Sequence, residues 1–278
     1  LYCSEENRGI SLMDIGFDKS ALSYDETFTH SSIGVYLRKR VHSYLDKKFP
    51  ADRSLKILEL NCGTGEDAIY FAKHGHFVTA TDSSAKMLEA AKRKTRAASL
   101  DRGVKFVQLD INDLKHAEFS ETFDLVFSDF GGLNCIPPER LKELSVNIKN
   151  VLSANGRFIA VAMSKYCQWE IAYFLLRGKI KNAFRRLGNR GIDVSMNGTV
   201  IKTYYYTPAD IRKIFESEFS YMKMAPVGLF IPPPYLESFF RRRTPLLSFF
   251  NKLESLFGGW SWPAALGDHF LIDLKVKR

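Results

Sequence analysis

Leu55-Lys56-Ile57-Leu58-Glu59-Leu60-Asn61-Cys62-Gly63-Thr64-Gly65-Glu66-Asp67-Ala68 is the stretch on which the fold turns. Its first six residues read as a strand. Its glycines then open a tight turn, and from Glu66 to Lys73 the spacing of Ala68, Ile69, Phe71 and Ala72 predicts a helix with one buried face. Gly63 and Gly65 allow the backbone to bend sharply and to approach a ligand closely.

The same alternation continues outward. Phe77-Val78-Thr79-Ala80-Thr81 is a second strand, and Ser83 or Ser84 caps a helix through Met87, Leu88 and Ala91. Val104 to Leu109 and Phe123 to Ser128 are the third and fourth strands. Pro137-Pro138 opens a helix with Leu141, Leu144 and Ile148, and Arg157 to Met163 follows the Asn155-Gly156 turn as a fifth strand. Such a βαβα series predicts an α/β fold with a doubly wound, mostly parallel sheet. Ligands then bind beyond the carboxyl ends of the strands, so the loops after Leu60, Thr81, Leu109 and Ser128 are the ones to read.

Upstream, Ile33 to Phe49 reads as a helix. Downstream the pattern loosens: Ile171 to Arg190 is long and basic, and Thr199 to Thr207 carries the β-favouring Tyr204-Tyr205-Tyr206. A helix is expected over 209–218, a strand over 221–231 that ends at Pro232-Pro233-Pro234, and a final strand from Asp268 to Val276. No repeat and no Gly/Ser-rich linker divides the chain.

Nineteen residues beyond Gly63 stands Asp82, at the end of the second strand, where a carboxylate can accept both hydroxyls of a ribose. Gly63-x-Gly65-x-x-Ala68 satisfies the dinucleotide fingerprint formally. Glu66 and Asp67, however, put negative charge in the helical turn that a pyrophosphate would need, and Glu59 adds a third acid. These acids suit a cationic ligand better. S-adenosylmethionine carries a ribose, an ammonium and a sulfonium, and no phosphate.

On these residues the chain resembles the class I S-adenosylmethionine-dependent methyltransferases of small-molecule type. Their first motif is an acid followed by a glycine-rich turn, matched by Glu59, Gly63 and Gly65, with Asn61 in place of the first glycine; Asn tolerates the left-handed region. The resemblance implies that Asp82 binds the ribose, that Asp110 contacts the adenine amino group, and that Ser128-Asp129-Phe130 lies beside the transferred methyl. Glu59, Asn61, Cys62, Gly63, Gly65, Asp82, Ser83, Asp110, Ile111 and Ser128 are thus the expected cofactor contacts. Glu59 can also cap a turn, Asp82 a helix, and Asp110 a loop with Asn112 or Asp113. The resemblance covers residues 55–163 motif by motif. It implies a seven-stranded sheet in one domain of residues 1–278. That domain has an N-terminal helical lid over 14–50, a cofactor core over 55–163, a substrate-side insertion and late strands over 164–267, and a last strand over 268–278.

Tyr24 and Phe28, in the lid, are expected to fold over the cofactor and exclude water from the methyl, which speeds displacement on a sulfonium. The resemblance implies a small-molecule acceptor, and the prolines and aromatics around 226–262 would suit an apolar or aromatic one. The series Arg177, Lys179, Lys181, Arg185, Arg186, Arg190 and the triplet Arg241-Arg242-Arg243 could hold an acidic or lipid-like acceptor, an anionic membrane surface, or simply face water. If an oxygen is methylated, Asp129, His30 and His269 are candidate bases. Amino methyltransferases of DNA and of protein glutamine carry an Asn/Asp-Pro-Pro-Tyr motif after the fourth strand. Here that place reads Ser128-Asp129-Phe130-Gly131, and Pro232-Pro233-Pro234-Tyr235 lies far downstream, which disfavours DNA.

Composition bounds the rest. With 278 residues, 45% of them apolar, the chain can build a full core without staples, and a disordered chain is excluded. The four cysteines (3, 62, 135, 167) form no CxxC, and with no HExxH no metal is expected; their spacing fits a reducing cytoplasm. No apolar run reaches the length of a spanning helix, and Leu1 to Met13 lacks the apolar stretch of a secretory signal. The net charge of +9 keeps an RNA or protein methyltransferase as an alternative. An NAD-dependent oxidoreductase and a non-catalytic cofactor-binding protein are the others.

Overall fold

The computed structural model describes residues 17–18, 21, 24–49, 53–196 and 199–277. The expectations for Leu1 to Met13, Cys3 included, and the start of the 14–50 segment lie outside them.

Strands β1 (Lys56–Leu60), β2 (Phe77–Asp82), β3 (Val104–Gln108), β4 (Phe123–Ser128) and β5 (Leu152–Met163) run parallel. With β8 (Phe219–Val227) and β9 (His269–Val276) they form one seven-stranded sheet in the order β3-β2-β1-β4-β5-β9-β8. Only β9 is reversed, pairing antiparallel with both β5 and β8. The chain winds outward from β1 to β3 and then restarts at β4 beside β1, which opens a crevice between the loops after β1 and β4.

Strand alternation explains the two cores. Ile57, Phe127 and Ile159 point to one face, where α1 (Ser32–Lys48), α2 (Glu66–Lys73) and α3 (Ala85–Ala97) supply Leu37, Phe71 and Leu88. Their neighbours Leu58, Val126 and Phe158 point to the other face, against Leu141 and Ile148 of α4 (Pro138–Val151) and Phe215 of α7 (Pro208–Phe215). Each such side chain contributes about 1.5–3 kcal/mol by leaving water.

Caps set the helix starts. Ser84 Oγ accepts the Met87 N–H at 3.1 Å, so Ser84 rather than Ser83 is the cap of α3. Thr207 and Asp210 close a capping box on α7. At α1, Ser31 Oγ accepts the Gly34 N–H, and the distant Glu237 takes the Ser32 and Ile33 N–H groups at 2.9 and 3.0 Å.

Several boundaries move from their sequence-based places. β5 begins at Leu152, and the expected Asn155-Gly156 turn is absorbed as an irregularity opposite Phe123 and Leu125. Between β5 and α7 stand α5 (Gln168–Leu176), α6 (Ile180–Ala183) and a hairpin of β6 (Ile192–Met196) and β7 (Thr199–Thr203). The tyrosine run does not extend β7. Tyr204 donates instead to the Asn134 carbonyl, and Tyr206 bridges Ser164, which pulls the chain off the hairpin. α7 ends at Phe215 and β8 begins at Phe219 and stops at Val227. Past Val227, the buried Glu254 of α9 (Thr244–Phe257) accepts the four consecutive N–H groups of Gly228 to Ile231. That carboxylate anchors the loop leading to Pro233, Pro234 and α8 (Glu237–Phe240).

Candidate active site

The glycine loop, the ends of β2 to β4 and the N-terminal segment enclose a cavity of about 200 Å³. Asn61 adopts φ +51° in the left-handed region, as its side chain permits. Its amide donates to the Asp129 carbonyl at 2.9 Å and accepts from Ser128 Oγ at 2.7 Å, tying the β1 loop to the β4 loop across the crevice. The two glycines divide their tasks. A Cβ on Gly63 would meet nothing within 4 Å, so that backbone edge stays open to a ligand. One on Gly65 would stand 2.8 Å from Ala91 Cβ, so Gly65 lets the loop pack on α3.

Asn61, Cys62, Gly63, Asp82, Ser83, Asp110, Ile111, Asp129 and Tyr24 line the cavity. Asp82 accepts the Gly63 N–H at 2.8 Å and the Ser84 N–H at 2.9 Å, which holds its carboxylate at the wall. Asp110 both lines the cavity and caps the turn Ile111–His116, taking the Asn112 N–H at 2.8 Å. Three expected contacts sit behind the wall: Glu59, Gly65 and Ser128. Phe28 faces a second chamber, and His30 is exposed and lines neither space.

Charge is concentrated at the floor. Glu59, Asp67 and Asp129 are buried around a single guanidinium, Arg38 of α1. Arg38 pairs with Asp67, which also receives His42 Nε2 at 2.7 Å. Burial alone would raise Asp67; Arg38 and His42 outweigh it and hold it well below the usual carboxylate range. The other two acids go the opposite way. Burial, with Asp67 nearby, pushes Glu59 and Asp129 upward. Glu59 Oε2 and Asp129 Oδ2 are buried and lack a hydrogen-bond partner, the latter 3.8 Å from Arg38 Nη1.

This corrects one step of the sequence argument. Asp67 and Glu66 do not present free negative charge to the first turn of α2, because Arg38 pairs with the one and Lys94 with the other. The acids that still lack a matching donor are Glu59 and Asp129.

A second chamber, of about 520 Å³, adjoins the first and shares Tyr24, Phe130 and Met163 with it. Phe130 is the hinge of the pair. Its φ of +36° is uncommon for an aromatic residue and is held by its N–H bond to Asp129 Oδ1 at 2.9 Å. Its ring meets Phe28 at 5.0 Å and His269 at 5.2 Å, both edge-on. The far wall carries Tyr205, Tyr235, Arg185 and the Asp268-His269 pair, whose Oδ2 and Nδ1 are 3.2 Å apart. Of the 226–262 aromatics, Tyr235 is the one that reaches this chamber; Phe240 and Phe250 pack against Trp169.

Residues 57–156 match the family model described as a methyltransferase domain. The chain therefore carries an S-adenosylmethionine-dependent methyltransferase domain. A malonyl-acyl-carrier-protein O-methyltransferase of Bacillus anthracis is 26% identical over 213 residues, 75% of this chain and 69% of the relative. A demethylmenaquinone methyltransferase of Clavibacter sepedonicus is 34% identical over 149 residues, 53% of this chain and 56% of that protein. Among solved structures, DhpI in complex with SAH superposes with a TM-score of 0.61 at 16% identity, covering 96% of each chain. The Pyrococcus horikoshii protein PH0226 gives 0.58 at 16%, over 92% of this chain and 99% of its own. Likeness at that identity speaks for the fold.

S-adenosylmethionine is the cofactor of this methyltransferase, and the residues present fit it. Gly63 leaves an open edge, Asp82 offers a carboxylate, and the unpartnered Asp129 oxygen calls for a cationic donor. Among the described residues no group of three metal-binding side chains occurs.

The sequence reading missed Arg38, Cys135, Met163, Ile201 and Thr203 on the cavity wall. A signal existed for Arg38. It and His42 stand four apart beside the buried stripe Leu37, Val41 and Leu45, so a guanidinium and an imidazole share one inner helix face. Ile201 and Thr203 arrive on the hairpin, held by buried Asn134, which bonds both Met163 and Tyr204.

Proposed function

We propose that this methyltransferase transfers its methyl group to an oxygen of a small apolar or aromatic acceptor bound in the second chamber. One observation carries the proposal: the two chambers meet at Tyr24, Phe130 and Met163, so a donor in one faces an acceptor in the other.

Bound S-adenosylmethionine supplies an electrophilic methyl on a sulfonium. Asp82 would take the ribose hydroxyls, and Ser83, Asp110 and Ile111 the adenine. Asn61, Cys62 and Gly63 would line its path, and Asp129, with Glu59 behind, favours the ammonium. The described stretch around Tyr24 and Asp25 acts as a lid. Asp25 bonds Thr64 Oγ1 at 2.6 Å and Lys94 Nζ at 2.9 Å, which fastens the segment to the glycine loop and α3. Tyr24 closes over the junction, and burial raises its hydroxyl to about 12, so it stays neutral there.

His269 is the candidate base. Burial alone would raise Asp268; His269 and Arg186 outweigh it and keep it ionised, well below the usual carboxylate range. Asp268 Oδ2 lies 3.2 Å from His269 Nδ1, so Nε2 is the ring nitrogen that would accept the acceptor's proton. His30 and Asp129 are set aside: the first is remote, the second shares the cofactor floor.

The test is a panel of phenols, hydroxy-aromatics and apolar carboxylic acids with methyl-labelled S-adenosylmethionine. Turnover is expected with a member of the panel. For His269→Ala we expect kcat to fall by about 10²-fold or more, while S-adenosylhomocysteine binds within about twofold of wild type. Labelling of RNA or protein alone would refute the small-molecule reading, and an unchanged kcat would remove His269.

A further inference from the structure

We propose that the outer face formed by the end of α5, α6 and the α8 turn docks on an anionic lipid bilayer beside the mouth of the second chamber. Between Ile171 and Ile192 the chain has six basic residues and no Asp or Glu. Arg186 is not part of the face. It is buried and satisfied by Glu170, Asp268 and the Ser164 carbonyl. Arg177, Lys179, Lys181 and Arg190 are exposed.

Between these cations stand aliphatic and aromatic side chains with no cover: Leu176 is 88% exposed, Ile180 64% and Phe184 43%. The face continues across Tyr173, whose ring lies 5.6 Å from Tyr235, into α8, where Phe239 is 49% exposed beside Arg241, Arg242 and Arg243. Arg177 sits 4.3 Å over the Tyr173 ring and Arg243 3.9 Å over Phe239, so cationic heads and apolar bodies occupy one level. Clustered bases attract an anionic headgroup layer, and interleaved aliphatic groups gain by entering its acyl boundary. A nucleic acid would use the bases but offer nothing to Leu176 and Ile180.

Arg185 and Tyr235 belong both to this face and to the chamber wall. Docking there would turn the chamber mouth toward the bilayer and suit an acceptor dissolved in it. That consequence rests on the chamber's being the acceptor site; the docking itself does not.

Co-sedimentation of the 278-residue protein with phosphatidylcholine vesicles, with and without phosphatidylglycerol, tests the docking without cofactor or acceptor. Binding is expected only with phosphatidylglycerol. Lys179→Glu with Lys181→Glu, and separately Leu176→Asp with Ile180→Asp, should each weaken it roughly tenfold or more. Lys92→Glu with Arg96→Glu, the same charge change on exposed α3, should leave it within about twofold. No binding to anionic vesicles overturns the proposal. So does equal loss with the α3 pair, or binding of single-stranded RNA through these residues in place of vesicles. S-adenosylhomocysteine titration of the same variants separates this outcome from failure of the methyltransferase reading.

Discussion

The two chambers are built in opposite ways. The cofactor cavity draws most of its wall from strand ends and the turns after them, over residues 61–135, and its floor holds more buried acid than its one guanidinium and one imidazole answer. The second chamber gathers residues from 24 to 269, and its buried charges are matched: Arg186 is bound by Glu170 and Asp268, and Asp268 also meets His269. The difference teaches what each space is for. A floor with unpartnered carboxylate oxygens is unfinished without a cationic ligand. A chamber with paired charges and aromatic walls, where the one buried atom without a hydrogen bond is a ring nitrogen of His269 beside Asp268, selects by shape.

The largest expected effect falls on the balanced side. Arg186→Met would leave Glu170 and Asp268 buried with one fewer cation, and should lower unfolding free energy by about 3–5 kcal/mol. Chemical denaturation would measure it. A loss below about 1 kcal/mol would mean that the chamber's charges are not mutually dependent. Next comes Asp82→Ala on the cofactor side. It should weaken S-adenosylhomocysteine by about 1–3 kcal/mol, the cost of polar groups left without a partner, and calorimetry showing an unchanged dissociation constant would take Asp82 out of the site.

The smallest effect sharpens the contrast through pH. Burial raises Glu59 above its ordinary value. A carboxyl whose folded pKa exceeds its unfolded one holds its proton longer when folded. Its contribution therefore falls as pH rises from about 4 through the raised value. Glu59→Gln should thus melt higher than wild type near neutral pH, at about 2–4 °C per kcal/mol relieved, and the gain should shrink toward pH 4. A gap independent of pH would contradict the unfinished floor.

How much could be read from the chain follows the same division. β1, the glycine turn, α2 and the acid at the end of β2 are local signals, and they stand where the residues put them. Asp82 reached the wall because a strand end fixes its own loop. Arg38 escaped notice because its partner Asp67 is 29 residues away, and a helix pattern does not announce what its polar face will meet. Glu66 and Asp67 are legible as charges, yet their pairing with Lys94 and Arg38 is a tertiary fact. The hairpin carrying Ile201 and Thr203 is placed by Asn134, a buried amide with nothing in its sequence neighbourhood to mark it.

One measurement bears most directly on the separation of cofactor and acceptor spaces: calorimetric titration of wild type and His269→Ala with S-adenosylhomocysteine, with NADH as the control ligand. The account predicts binding of S-adenosylhomocysteine at micromolar concentration, about equal in both proteins, and none of NADH. Loss of S-adenosylhomocysteine binding in His269→Ala, or binding of NADH by either protein, would contradict it.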